Sequence, residues 1–143
     1  KLYNKVILSK EGTIFGNPFR ITKAVQISND SQDLLIECNI KNLSDSPLEV
    51  SYGMEFNFFL TKDDISDRLY AEKNILLRDA IANILVEMAF SKPADIWRFP
   101  VRTVIRSENK IEENYQATAL VPHWHLNLPP GREWACSIPL SIR

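Results

Sequence analysis

Cysteine is scarce in this chain of 143 residues: there are two, Cys38 and Cys136. Two cysteines do not build the disulfide framework of a small secreted scaffold. Each sits among apolar residues at strand spacing, which points to buried free thiols, with a single bridge as the alternative. Histidine is equally scarce. His123 and His125 share the stretch VPHWHLNL, and no cysteine or carboxylate recurs beside them at ligand spacing, so a metal centre of three or four ligands is disfavoured. Neither sign of charge dominates: 17 Lys and Arg face 18 Asp and Glu, for a net −1. A nucleic-acid-binding face needs a basic excess to neutralise phosphates, so that class is set aside. No apolar run reaches the roughly 20 residues of a membrane-spanning helix. The opening KLYNKVILSKEG carries neither an initiator Met nor a signal peptide and is already strand-like, which suggests a piece of a longer polypeptide.

What the chain does have is alternation. It is 45% hydrophobic, enough for a real core. Leu34, Ile36, Cys38 and Ile40 alternate with Glu37, Asn39 and Lys41; Leu48, Val50, Tyr52, Met54, Phe56, Phe58 and Leu60 alternate with Glu49, Ser51, Gly53, Glu55 and Asn57. Period two is the mark of a strand with one buried face. NLSDSP between these runs reads as a turn, giving a hairpin. Trp97 to Ile105 and Trp134 to Ile142 repeat the pattern, the latter preceded by the turn LPPGRE. At the start, SKEGTIFG reads as a hairpin tip, with Gly12 available for a positive φ. The expected fold is all-β, an antiparallel sandwich, over a single domain 1–143. Residues 75–90 resist, because Leu77, Ala80, Ile81, Ile84, Leu85 and Met88 also recur at helical spacing. The alternatives are one helix, or strands Ile75–Arg78 and Ile84–Phe90 joined by a turn.

Three stretches carry a resemblance. SYGMEFNFFL holds Gly53, Glu55, Phe56 and Asn57. DIWRFPVRTVIRSENKIEENYQATALVPHW holds Trp97, Phe99, Pro100 and Thr103, then Ser107-Glu108 and Tyr115-Gln116. LSKEGTIFG is followed by ITKAVQI. Their order and spacing, over roughly residues 6–142, are similar to the C-terminal β-sandwich domain of glycoside hydrolase family 57, the α-amylases and 4-α-glucanotransferases. That resemblance implies a galactose mutarotase-like super-sandwich, hence strands at 75–90 with a turn over Asp79 to Asn83. It further implies a C-terminal module without the catalytic carboxylates, which in that family lie on an N-terminal (β/α) barrel. The implied partner is that barrel, together with α-glucan oligosaccharides; no cofactor is implied, and the setting is cytoplasmic.

Candidate contact residues follow from exposure and type. Trp97 lies near a loop, where an indole face can stack on the C–H groups of a pyranose. Glu55 and Asn57 form a polar pair at i and i+2 on one strand face. His123 and His125 share a face, with Asn127, opposite Trp124. Each also has a plainer reading: a solvated strand face for the polar residues, the core edge for Trp97. Trp124 and Trp134 keep apolar company and read as core. Arg98, Arg102 and Arg106 line one face, as ion-pair partners or a solvated stripe. Ser107-x-x-Lys110 lacks the helix a serine nucleophile motif requires, and Asn42-Leu43-Ser44 is a formal glycosylation acceptor. A rival reading, a small mutarotase-like enzyme, needs an acid and a base in one pocket, from His123 or His125 with Glu55 or Glu108. A purely structural or oligomerisation domain is the other rival.

Overall fold

A computed structural model describes residues 3–29, 31–61, 67–107 and 110–143. Among these residues nine strands follow in order: β1 Tyr3–Ile14, β2 Asn17–Ser28, β3 Asp33–Asn42, β4 Leu48–Gly53, β5 Phe56–Phe58, β6 Asp67–Asp79, β7 Ile84–Ser107, β8 Lys110–Leu128 and β9 Glu133–Ile142. No helix occurs among the described residues. All pairings are antiparallel, in the order β1-β2-β3-β9-β7-β8-β4, with β6 on β7 and β5 on β8.

This single sheet folds over itself into two layers. One half of β7 pairs with β9 at Val86–Met88, and the other half pairs with β8 from Asp95 onwards. Between the halves, Ser91, Lys92 and Pro93 are exposed, and Pro93 has no N–H to continue a ladder. The first layer is therefore β1, β2, β3, β9 and the early part of β7. The second is the late part of β7 with β8, β4 and β5. β6 runs along both halves of β7, with its ladder shifting between Leu69 and Asn74 around Ala71, whose φ is 53°.

The core lies between the layers. Ile36, Cys38, Ile40, Cys136, Ile138 and Leu140 meet Leu48, Leu120, Trp124, Leu126 and Leu128. Aromatic rings cross the gap: Trp124 of β8 lies 5.1 Å from Trp134 of β9, and Tyr52 of β4 lies 5.8 Å from Trp134. Such pairs add about 0.5–1.5 kcal/mol beyond the area they bury. The Tyr52 hydroxyl and the Cys38 thiol are 2.8 Å apart, and burial pushes both groups up from their ordinary pKa values. Both cysteines are buried free thiols.

The helical spacing at 75–90 belongs to a strand, a turn and a strand. β6 ends at Asp79, residues 80–83 turn, and β7 begins at Ile84. Leu77 and Met88 are buried, whereas Ile81, which a core-facing helix would bury, is exposed on the turn. The Asp79 carboxylate, itself buried, accepts from the backbone N–H of Ile81 and Ala82 and from the N–H and hydroxyl of Thr61.

Three expectations are corrected. NLSDSP connects β3 to β4 but makes no hairpin, because β3 pairs with β2 and β9 while β4 crosses to the other layer and pairs with β8. The first hairpin tip is Phe15-Gly16, with φ of 49° and 81°, and not Gly12. Gly12 lies inside β1 opposite Phe19, where a Cβ would stand 3.3 Å from the Phe19 ring. The long 48–60 run is also interrupted at Met54–Glu55 without a change of register. Met54 N–H donates to the carbonyl of Pro122, but Pro122 has no N–H to return the bond.

Candidate functional site

Alternation places the odd-numbered residues of β8 on the outer face of the second layer. His123 stands between Asp95 of β7 and Gly53 of β4, and His125 lies opposite Ser51. Val121 lies opposite Trp97, and Ala119 stands between Phe99 of β7 and Asn57 of β5. Glu55 joins this face through a hydrogen bond of 2.8 Å from the Asn57 amide. Trp97, Glu55, Asn57, His123 and His125 therefore come onto one surface, although three strands and the β4–β5 break supply it.

Its centre is the contact of Trp97 with His123, ring centroids 4.5 Å apart and tilted by 47°. His123 Nδ1–H donates to the Val121 carbonyl at 3.1 Å, which fixes the orientation of the ring against Trp97. Trp97 keeps 47% of its surface exposed. On one side a hollow of about 380 Å³ is lined by Trp97, Phe99, Asp67, Arg68 and Arg98. On the other a hollow of about 390 Å³ runs along residues 123–128, where β8 has parted from β7, with Pro93, Asp95 and Trp134 as walls. Chemically the surface offers two flat apolar faces, Trp97 and Phe99, ringed by carboxylate, amide, imidazole and guanidinium groups. That mixture suits a ligand with apolar C–H faces and many hydroxyls.

His125 Nε2–H donates to Glu49 at 3.1 Å, so its carboxylate neighbour is Glu49 and not Glu55. Asp95 is occupied by the N–H of Ala71 at 3.0 Å. Glu108 lies outside the described residues. No group of three or more His, Cys, Asp or Glu side chains assembles among the described residues. Arg102 pairs with Glu113 at 3.3 Å, and Arg98 is half-buried on the inner side, opposite Asp67. The formal glycosylation site is closed in the fold. Asn42 is fully buried, its amide donating to the carbonyls of Ser46, Leu128 and Pro129 and its carbonyl accepting from Ser44.

Phe99 and Arg68 escaped the sequence reading as site residues. Phe99 was accessible from alternation, two residues beyond Trp97 on one strand. Arg68 becomes its neighbour only through the β6–β7 register, in which it lies opposite Trp97. A further hollow of about 440 Å³, on the outer face of the first layer, is lined by Lys5, Thr22, Ala24, Glu37, Asn39 and Ser137 among others. It has no aromatic wall for stacking.

Comparison with known proteins gives this surface a context. Alpha-amylase 1 of Dictyoglomus thermophilum is 27% identical over 98% of this chain, which spans 22% of that protein. The crystal structure of 4-alpha-glucanotransferase from Thermococcus litoralis superposes on 96% of the chain with a TM-score of 0.78 at 19% identity, and the chain spans 21% of it. A galactose mutarotase related enzyme from Lactobacillus acidophilus shares the fold, with a TM-score of 0.66 at 12% identity over 97% of this chain and 68% of its own. The chain thus spans about a fifth of the length of the curated relatives it matches first. The family described as alpha-amylase/4-alpha-glucanotransferase, C-terminal, matches residues 1–138, and the chain belongs to it.

Proposed function

We propose that the chain is the accessory sandwich of an α-glucan-active hydrolase or glucanotransferase. It carries no catalytic pair, packs on a catalytic barrel elsewhere in the polypeptide, and contacts glucan through the Trp97 face. The observation that carries the glucan contact is the half-exposed Trp97 ring, held by His123 and continued by Phe99, with Asn57, Glu55, His125 and Arg68 around it. A pyranose stacks on such a ring through its axial C–H groups while its hydroxyls meet the polar border. The packing role is supported by the arm formed by the ends of β7 and β8, which exposes Val104, Ile105 and Ile111.

Calorimetric titration with maltoheptaose tests the contact. The expected dissociation constant is about 1 mM, equivalent to about 4 kcal/mol. Trp97→Ala is expected to abolish the heat while leaving the far-ultraviolet spectrum and the melting temperature near those of the parent. Absence of heat from the unaltered protein at high ligand concentration would leave domain packing as its role.

A further inference from the structure

The two cysteines face each other. Cys136 of β9 lies opposite Cys38 of β3, and both side chains enter the core. The bonding pattern fixes the kind of pair they make. Along this ladder the Asn42 N–H donates to the Arg132 carbonyl at 2.9 Å. Bonded pairs recur at every second residue, so the next are Ile40 with Trp134 and Cys38 with Cys136. Ser137 agrees, because its N–H points away from β3, to the Ser91 hydroxyl at 2.8 Å. Residues opposite each other in a bonded pair have Cα atoms about 5.5 Å apart, within the span of a disulfide. Their Cβ atoms also stand at about 5.5 Å, whereas a relaxed disulfide holds them at about 3.8 Å. A bridge here can form, but under strain, and strained bridges are the readily reduced ones.

Each sulfur has its own polar company. Cys38 Sγ is 2.8 Å from the Tyr52 hydroxyl of β4, a link between the two layers. Burial raises the pKa of Cys38, which keeps it a thiol at neutral pH. Cys136 Sγ accepts from the Ser91 hydroxyl at 3.5 Å. Ser91 is exposed where β7 folds over, and it lines the hollow of about 440 Å³ together with Cys136. A small solute that reaches Ser91 is beside the Cys136 sulfur.

We propose that Cys38 and Cys136 form a reversible redox pair, which a hydroperoxide closes into a cross-strand disulfide and small thiols reopen. Cys136 gives its proton to water, and its thiolate attacks the peroxide. The O–O bond breaks, hydroxide leaves and takes up a proton, and Cys136 holds a sulfenic acid. The Cys38 sulfur attacks that sulfur, the S–O bond breaks, and water leaves with the Cys38 proton as the S–S bond forms. Two thiols and one hydrogen peroxide give one disulfide and two waters, with two electrons passing from sulfur to the peroxide oxygens. Closure draws the Cys38 sulfur toward β9 and away from Tyr52, so the phenol packed beside Trp124 and Trp134 loses its tie to the first layer.

The test uses the complete polypeptide that contains this chain, kept folded, with hydrogen peroxide as the probe. Free thiols are then blocked with iodoacetamide and the protein is digested. The expected product is a peptide that links Cys38 to Cys136, lighter by two hydrogens than its separate parts. It should disappear in excess reduced glutathione and return on renewed oxidation. Cys38→Ser should leave Cys136 as a sulfenic acid that dimedone traps, and Cys136→Ser should slow oxidation of Cys38 by about ten-fold or more. Three results would each overturn the proposal: both cysteines recovered unlinked after peroxide, a linked peptide that forms only in urea, or a bridge that survives the glutathione.

Discussion

Asp79 accepts hydrogen bonds from three backbone N–H groups and one hydroxyl, and those bonds favour its charged form. The N–H groups of Ala82 and Thr61 act most strongly and hold its pKa down at about 2. The sign of the consequence follows from the direction. A carboxylate whose folded pKa is depressed stabilises the fold above its unfolded pKa, and that contribution is lost as pH falls through the folded value. The melting temperature is therefore expected to fall between about pH 5 and pH 2, and Asp79→Asn should flatten that limb while lowering the plateau at neutral pH. In the variant the amide would turn N–H groups toward one of the donors that the carboxylate now accepts from. Calorimetric scans of both proteins across that range check it. Nothing in the sequence announced this role, because Thr61 is 18 residues away and only the fold brings it to the turn. The alternation of Ile75, Leu77 and Asp79 with exposed Leu76 and Arg78, by contrast, was obscured by the helical spacing of the apolar residues around it.

Among the elements, β7 and β8 are the longest, and their outer ends pair only with each other. Beyond Asp67 and Phe58 no third strand flanks the arm among the described residues. A two-stranded ribbon is marginal in water. Amides at 102–106 and 111–116 are accordingly expected to exchange at least ten-fold faster than those at 94–98 and 118–120, where strands flank both sides. Peptide-resolved hydrogen exchange on the 143-residue chain reads this directly. The sequence showed β7 only from Trp97 onward and its start at Ile84 as a separate strand. Pro93 and Pro100 break the ladder signal within what the structure makes one continuous element. The shift at Val101–Arg102, which inserts Gln116 as an extra residue on β8, was equally invisible. Bulges leave no mark on apolar periodicity until both partners are known.

At the scale of the molecule, Asn42 ties the layers together at the β3–β4 and β8–β9 turns. Its amide bridges carbonyls of both connections, and its backbone N–H donates to Arg132. Asn42→Ala would strand several buried carbonyls, and the expected loss is roughly 2–4 kcal/mol of unfolding free energy by urea titration. Sequence alternation was enough to reach the sandwich, because each strand buries one face. It could not reach the strand order, since nothing local to β3 says that its neighbours are β2 and β9. The candidate surface shares that limit: Trp97, His123 and Asn57 were each visible as residues, but their common face exists only through the pairings of β7, β8 and β5.

The pairing of β3 with β9 has a temporal side. β9 comes after all the other described strands in the chain, yet it occupies the middle of the first layer, held between β3 and β7. During synthesis β1, β2 and β3 can form hairpins early, since their contacts are close in sequence. They must then wait, with the apolar row of β3 open, until about a hundred further residues have left the ribosome, or some 5–20 s at ordinary rates of elongation. Closure of this part of the sandwich is thus tied to β9, and the interval before it arrives is when these strands are most exposed to misassembly.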